Sequence, residues 1–300
     1  MIRRAFACAI AVAVAACGGH SPGAALPQTA PAPAEFANRG LPTPLRHIVI
    51  VVQENRSFEN FFAGFPGADA PMTGKTHDGK TVRLKPITFA KVSLNHFYKD
   101  GRIGYNHGRM NGFDRVPPMQ PFGKLEPYSY VERSLIRPYW TMAQQYVLAD
   151  HMFPTEWGPS FTAHLNLVAG TTVIRRGVAI VDMPTLDGAV KGGGCDADPG
   201  TVTSLLTAQG EYRQNEGPFP CFSFQTLAGV LDPGHVSWKY YAAYWPNGKT
   251  LWNAFDAIRA VRYGPDWKQH VVKTPKQILT DAAAGKLPAV SWVIPTMPDS

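Results

Sequence analysis

An α/β fold built on a doubly wound, mostly parallel sheet follows from three observations on this 300-residue chain. Residues 48–52, Ile-Val-Ile-Val-Val, form an unbroken β-branched run, the pattern of a strand buried on both faces. Two further strand-like runs lie far along the chain: 236–241, with Trp238, Tyr240 and Tyr241, and 289–294, Ala-Val-Ser-Trp-Val-Ile. Segments of helical spacing alternate with these runs, as in βαβ units. With 45% hydrophobic residues the chain can bury a sizeable core, and 28 glycines and 27 prolines imply many loops. No internal repeat and no second domain boundary is visible.

Residues 1–16 have the basic start (Arg3, Arg4) and short apolar stretch of a bacterial export signal. Val14-Ala15-Ala16-Cys17 resembles a lipobox, which implies lipidation at Cys17, and Gly18 after it fits a lipoprotein sent on to the outer membrane. Cleavage near Ala24-Ala25 would instead give a soluble periplasmic or secreted protein. Residues 17–44, rich in Pro, Ala and Gly, read as a disordered tether ahead of one domain over 45–300.

Within that domain Ser57 has the character of a helix start, followed by aromatics that would face the sheet. Residues 64–95 are polar and turn-rich, with a strand-like piece at 81–84. Residues 128–150 read as helical, with Ile136, Tyr139, Trp140, Met142, Ala143, Tyr146 and Val147 at helical spacing. A helix is expected over 161–169, a short one over 226–231 and an amphipathic one over 274–284. The Gly-rich segment 186–222 holds Cys195 and Cys221, an even pair in an exported chain, so a disulfide stapling a surface excursion is expected. The net charge of +7 includes two leader arginines and is scattered, which does not imply nucleic-acid binding.

Two clusters carry chemistry. Gln53-Glu54-Asn55 follows the first strand directly, where open α/β sheets bind ligands. A carboxylate and a carboxamide there offer hard oxygen ligands to a divalent cation; a helix-capping Glu beside a turn-forming Asn is the plainer reading. Ser160, behind Gly158-Pro159 at the start of a helical run, suits an N-cap and equally a nucleophile whose neighbouring amides stabilise phosphoryl oxygens. No Gly-x-Ser-x-Gly elbow, P-loop, His-Glu-x-x-His or dinucleotide fingerprint is present.

Together, the run Gln53-Glu-Asn-Arg-Ser-Phe-Glu-Asn-Phe-Phe62 and Gly158-Pro-Ser160 resemble the bacterial phosphoesterases that include non-specific phospholipases C and acid phosphatases. Asn106-His-Gly-Arg-Met-Asn-Gly-Phe113 and Pro288-Ala-Val-Ser-Trp-Val-Ile-Pro295 extend the resemblance from about residue 45 onward. It implies an alkaline-phosphatase-like fold and a divalent metal at the carboxyl edge of the sheet. Glu54, Asn55 and Ser160 match its metal ligands, and Ser160 also matches its nucleophile, which forms a phosphoseryl intermediate. His96 matches a phosphoryl-contacting His, or is a surface His. His164 stands where many relatives carry Arg, facing the phosphate or solvent. Asp150-His151 follows a helix and reads as orienting its loop, and Thr162 is the next candidate nucleophile.

The family's Asp pair and further His ligands have no match among these residues, which implies a domain incomplete at its C-terminal end and inactive as it stands. The implied substrate is a phosphoester small molecule or a phospholipid, with membrane attachment through the lipid anchor. A non-catalytic surface lipoprotein, binding through the aromatic segment 238–245, is the competing reading.

Overall fold

The computed structural model describes residues 45–89, 93–119, 123, 125–244 and 253–296. The leader, Cys17, the tether and Trp245 lie outside the described residues. None of the described helices is long and apolar enough to cross a membrane.

Four strands form a parallel sheet: β1 (Ile48–Val51), β6 (Trp238–Ala242), β7 (Val271–Val272) and β8 (Val290–Ile294), in the order β1-β8-β6-β7. β8 sits between β1 and β6, pairing Val290 with both Ile48 and Trp238. Its five residues are all buried, which is why 289–294 reads as apolar but for Ser291. β1 departs from the sequence reading. It is an edge strand among the described residues, and Ile48, Val49 and Val51 are 53%, 42% and 61% exposed. A β-branched run reports strand propensity, but not whether both neighbours are present.

The doubly wound sheet is corrected to a mixed architecture, in which a second, antiparallel sheet stands beside the small parallel one. Its main path is β2 (Val173–Arg175), β3 (Val178–Leu186), β4 (Val202–Thr207) and β5 (Tyr212–Arg213), ordered β5-β4-β3-β2, with a short strand at Ala189–Val190 against β3. The segment 186–222 is thus partly sheet rather than only a Gly-rich excursion. Asp182 and Pro184 inside β3 broke the strand pattern; the β3–β4 register shifts between Val181 and Thr185, an irregularity that accommodates both.

The five longest helices among the described residues follow in chain order. α1 (Phe58–Phe62) is opened by a capping box, with Ser57 Oγ accepting from Asn60 N at 3.2 Å. Its aromatics pack against a helix instead of the sheet. Phe61 meets Tyr139 at 5.0 Å, and Trp140 Nε1 donates to Phe61 O at 2.8 Å. α2 spans Tyr98–Tyr105, and α3 spans only Arg137–Gln145, shorter than the expected 128–150. Pro138 fits the first turn of α3, and residues 129–131 are instead a strand paired with 85–87. α4 (Ser160–Ala169) ends at Gly170, left-handed at φ 65°. α5 spans Gln277–Ala283.

The main core lies between α4, the parallel sheet and the 3₁₀ turn Ala254–Ala257. Trp238, Tyr240, Phe255 and Trp292, each at most 1% exposed, form its aromatic centre, with Tyr240–Phe255 centroids 5.0 Å apart. Cys195 and Cys221 are bonded, with Cα atoms 4.5 Å apart and 26 positions apart in sequence. Replacing both by serine is expected to cost about 3 kcal/mol, mainly by freeing the unfolded chain. Denaturant midpoints that match within error would show that this closure does not constrain the unfolded state.

Candidate active site

The site forms where β1 gives way to a loop. Val52 N still donates to Val293 O at 3.0 Å, so pairing continues one residue past the strand. Asn55 then adopts φ 67°, a left-handed conformation that Asn tolerates better than most residues. The chain turns sharply there, leaving Glu54 at the carboxyl edge of the sheet.

α4 arrives at the same place with its N-terminus. Pro159 occupies the N-cap position and cannot cap with a side chain, so Ser160 is the first helical residue. The Ser160 hydroxyl caps nothing; it donates to Glu54 Oε2 at 2.7 Å. One turn on, His164 Nε2 bonds Glu54 Oε1. His164 is 2% exposed, which answers the question of solvent or site in favour of the site. A single carboxylate, 15% exposed, therefore joins a hydroxyl and an imidazole that the helical i, i+4 spacing places on one face. Burial pushes the Glu54 carboxyl up, but hydrogen bonds and charge from His164, with help from Ser160 and His96, outweigh it and hold the pKa below the ordinary carboxylate value.

Glu54, Asn55, His96, Ser160 and His164 all line one cleft of about 840 Å³. His96 Nδ1 lies 3.0 Å from Leu94 O; a carbonyl can only accept, so Nδ1 carries a proton and Nε2 is the nitrogen left for other partners. Phe97, Phe113, Trp157 and Leu167 supply apolar wall. Thr162 is fully buried and hydrogen-bonded to Pro159 O at 3.4 Å, which removes it as a nucleophile. Asp150 and His151 both engage Asp69, consistent with orienting a loop. The Asn106–Phe113 block is largely a turn: Asn106 Nδ2 donates to Asn111 Oδ1 at 2.7 Å, and a Cβ on Gly112 would lie 1.9 Å from Ile103 O. Only its Phe113 reaches the cleft.

Two lining residues escaped the sequence reading. Glu156 sits four residues before Ser160, and burial pushes its carboxyl above the ordinary value. Its acidic character inside Thr155-Glu-Trp-Gly-Pro was the available signal. Arg56 donates to Asn55 O at 2.5 Å and to Phe89 O, pinning the turn after Glu54.

A divalent cation at Glu54, Asn55 and Ser160 would find one carboxylate, one carboxamide and one hydroxyl. Hard cations take about six or more oxygens, so these donors do not by themselves fit such an ion. Among the described residues the one group of three His, Cys, Asp or Glu close enough to share a cation is Asp232, Asp266 and His270. It lies at the amino ends of β6 and β7, the opposite edge of the sheet from Glu54.

Phospholipases C are among the known proteins with similar sequences. The chain is 22% identical over 293 residues to "Hemolytic phospholipase C" of Pseudomonas aeruginosa, covering 83% of this chain and 36% of that protein. It is 23% identical over 294 residues to "Phospholipase C A" of Mycobacterium tuberculosis, covering 85% of this chain and 50% of the relative. The chain thus spans half or less of the length of these curated relatives. Matched from residue 45 to residue 300 by the family model, the chain belongs to the Phosphoesterase family.

Proposed function

We propose that the cleft hydrolyses phosphoric esters, of phospholipase C or acid phosphatase type, with Ser160 as nucleophile and a phosphoseryl intermediate. Family membership implies a phosphoric-ester substrate, and the names of the relatives favour a phospholipid. The observation that carries the reading is the Ser160 hydroxyl, held on Glu54 at the start of α4 instead of capping the helix. Ser160 Oγ would attack phosphorus while Glu54 takes its proton, and the helix-start amides would face the phosphoryl oxygens. His164 keeps Glu54 ionised and oriented. In its imidazolium form, with Nδ1–H on Leu94 O, His96 would protonate the departing oxygen through Nε2. The divalent cation expected at Glu54, Asn55 and Ser160 would need ligands beyond these three, and no step above depends on it.

Export and lipidation at Cys17 complete the proposal: a cell-envelope lipoprotein acting on a phospholipid or a small phosphoester. The test is hydrolysis of a chromogenic phosphomonoester and a chromogenic phosphodiester by the complete gene product, with and without added divalent cation. Turnover of the diester that Glu54→Gln reduces by at least about a hundredfold is expected. Failure to turn over either ester with any added cation would favour the non-catalytic binding lipoprotein.

A further inference from the structure

A second buried cluster of ionisable groups lies behind the site and takes no part in the chemistry above. Asp256, in the 3₁₀ turn Ala254–Ala257, is fully buried. Neither of its carboxyl oxygens has a hydrogen bond of good geometry. Its cation is Arg262, whose Nε lies 3.3 Å from Oδ1. That guanidinium is already committed to Asp196, through Nη2 to Oδ1 at 2.8 Å and Nε to Oδ2 at 2.9 Å. Tyr244 donates to the same Asp196 carboxylate at 2.8 Å, while Lys273 stacks over Tyr244 and Tyr263 lies beside Arg262. Two carboxylates therefore share one guanidinium, Asp256 fully buried and Asp196 partly exposed, and one of them is neutral. Asp196 has the bidentate partner and stays ionised, so Asp256 carries the proton.

What rests on that carboxyl reaches the site. Gly194, at φ 101°, lies so close that a Cβ there would be 2.1 Å from Asp256 Oδ2. Cys195 N donates to Asp256 O at 2.8 Å, and Phe222 N, next to the other half of the disulfide, donates to Ala257 O at 2.8 Å. Gly193 presses on the ring of Phe161, the neighbour of Ser160; a Cβ there would be 2.6 Å from it. α4 presents the apolar Phe161 and Leu165 to the same core. His164 of that helix is turned to Glu54.

We propose that the uncharged form of Asp256 is a latch that holds the 192–195 loop closed against the Ser160 end of α4, and that loss of its proton at alkaline pH releases the loop. Burial, and next the charge of Asp196, push the Asp256 carboxyl up to about 8 against the partial pull of Arg262. The unfolded chain would release the same proton near pH 4. The stability this group supplies is complete below about pH 4, falls as pH rises, and is gone above about pH 8. In that interval each pH unit raises the open population about tenfold.

Access to the disulfide reads the latch. The rate at which a phosphine reductant, which needs no thiolate, cleaves Cys195–Cys221 is expected to rise about tenfold per unit between pH 6 and 8 and then level off. Asp256→Asn, shaped like the neutral acid, should flatten this profile and keep the loop closed at pH 9. Asp196→Asn leaves Arg262 to Asp256 and should move the rise to lower pH, because Asp256 then ionises more readily. Thermal melts at pH 6 report whether each variant folds. A wild-type reduction rate flat from pH 6 to 9, or a folded Asp256→Asn protein with the wild-type slope, would overturn the latch.

Discussion

Replacing Ser160 by alanine in the complete gene product is expected to lower phosphoester turnover by a factor on the order of 10³ to 10⁶ and to leave the fold unchanged. The lost hydroxyl is not a helix cap. It donates one hydrogen bond to a carboxylate, an interaction worth about 1.5–3 kcal/mol at most. Glu54 keeps His164, so no charge is stranded. Steady-state hydrolysis of a chromogenic phosphodiester, set beside a thermal melt, separates the two effects. Turnover within tenfold of wild type would remove Ser160 as nucleophile. Thr162 could not replace it, being sealed in the core.

The largest loss of stability is expected at Trp292. Trp292→Ala should cost about 3–5 kcal/mol in urea unfolding, a large share of the stability of an ordinary domain. Trp292 has no exposed surface and contacts Trp238, Tyr240 and Phe255 at centroid distances of 6.1–6.3 Å. These three neighbours are rigid rings that collapse poorly into a void, so the cavity penalty adds to the lost burial. A change below about 1 kcal/mol would mean that the core relaxes around the gap.

How much of this was legible in the sequence depends on the physics behind each element. Residues 289–294 and 236–241 were readable because central parallel strands are buried on both faces and written in largely apolar, β-branched and aromatic residues, interrupted here only by Ser237, Lys239 and Ser291. The run at 48–52 was readable as a strand but not as an edge, since its missing neighbour leaves no mark on its own residues. The antiparallel sheet escaped because Asp182 and Pro184 interrupt β3. Tertiary partners account for Asp182, which accepts from Tyr98 N at 2.6 Å and from Tyr212 Oη at 2.7 Å. At the site, Glu54, Ser160 and His164 were found by motif, and the resemblance placed Glu54 beside the Ser160 hydroxyl. The bond from His164 to Glu54 was not foreseen; it joins residues 110 positions apart, beyond the reach of local spacing. Glu156 and Arg56 were missed because one acid and one base in polar loops resemble ordinary surface residues.

The sharing of Glu54 between Ser160 and His164 has a consequence for any attempt to apportion the activity. Groups that act through one carboxylate are not independent, so effects of changing them do not add. Once Glu54 is lost, His164 has nothing left to orient, and its removal carries little further loss. Once Ser160 is lost, the carboxylate has no proton to receive. The three side chains thus hold one free energy in common, set by the register between the end of β1 and the start of α4, and no fixed fraction of it belongs to any one of them.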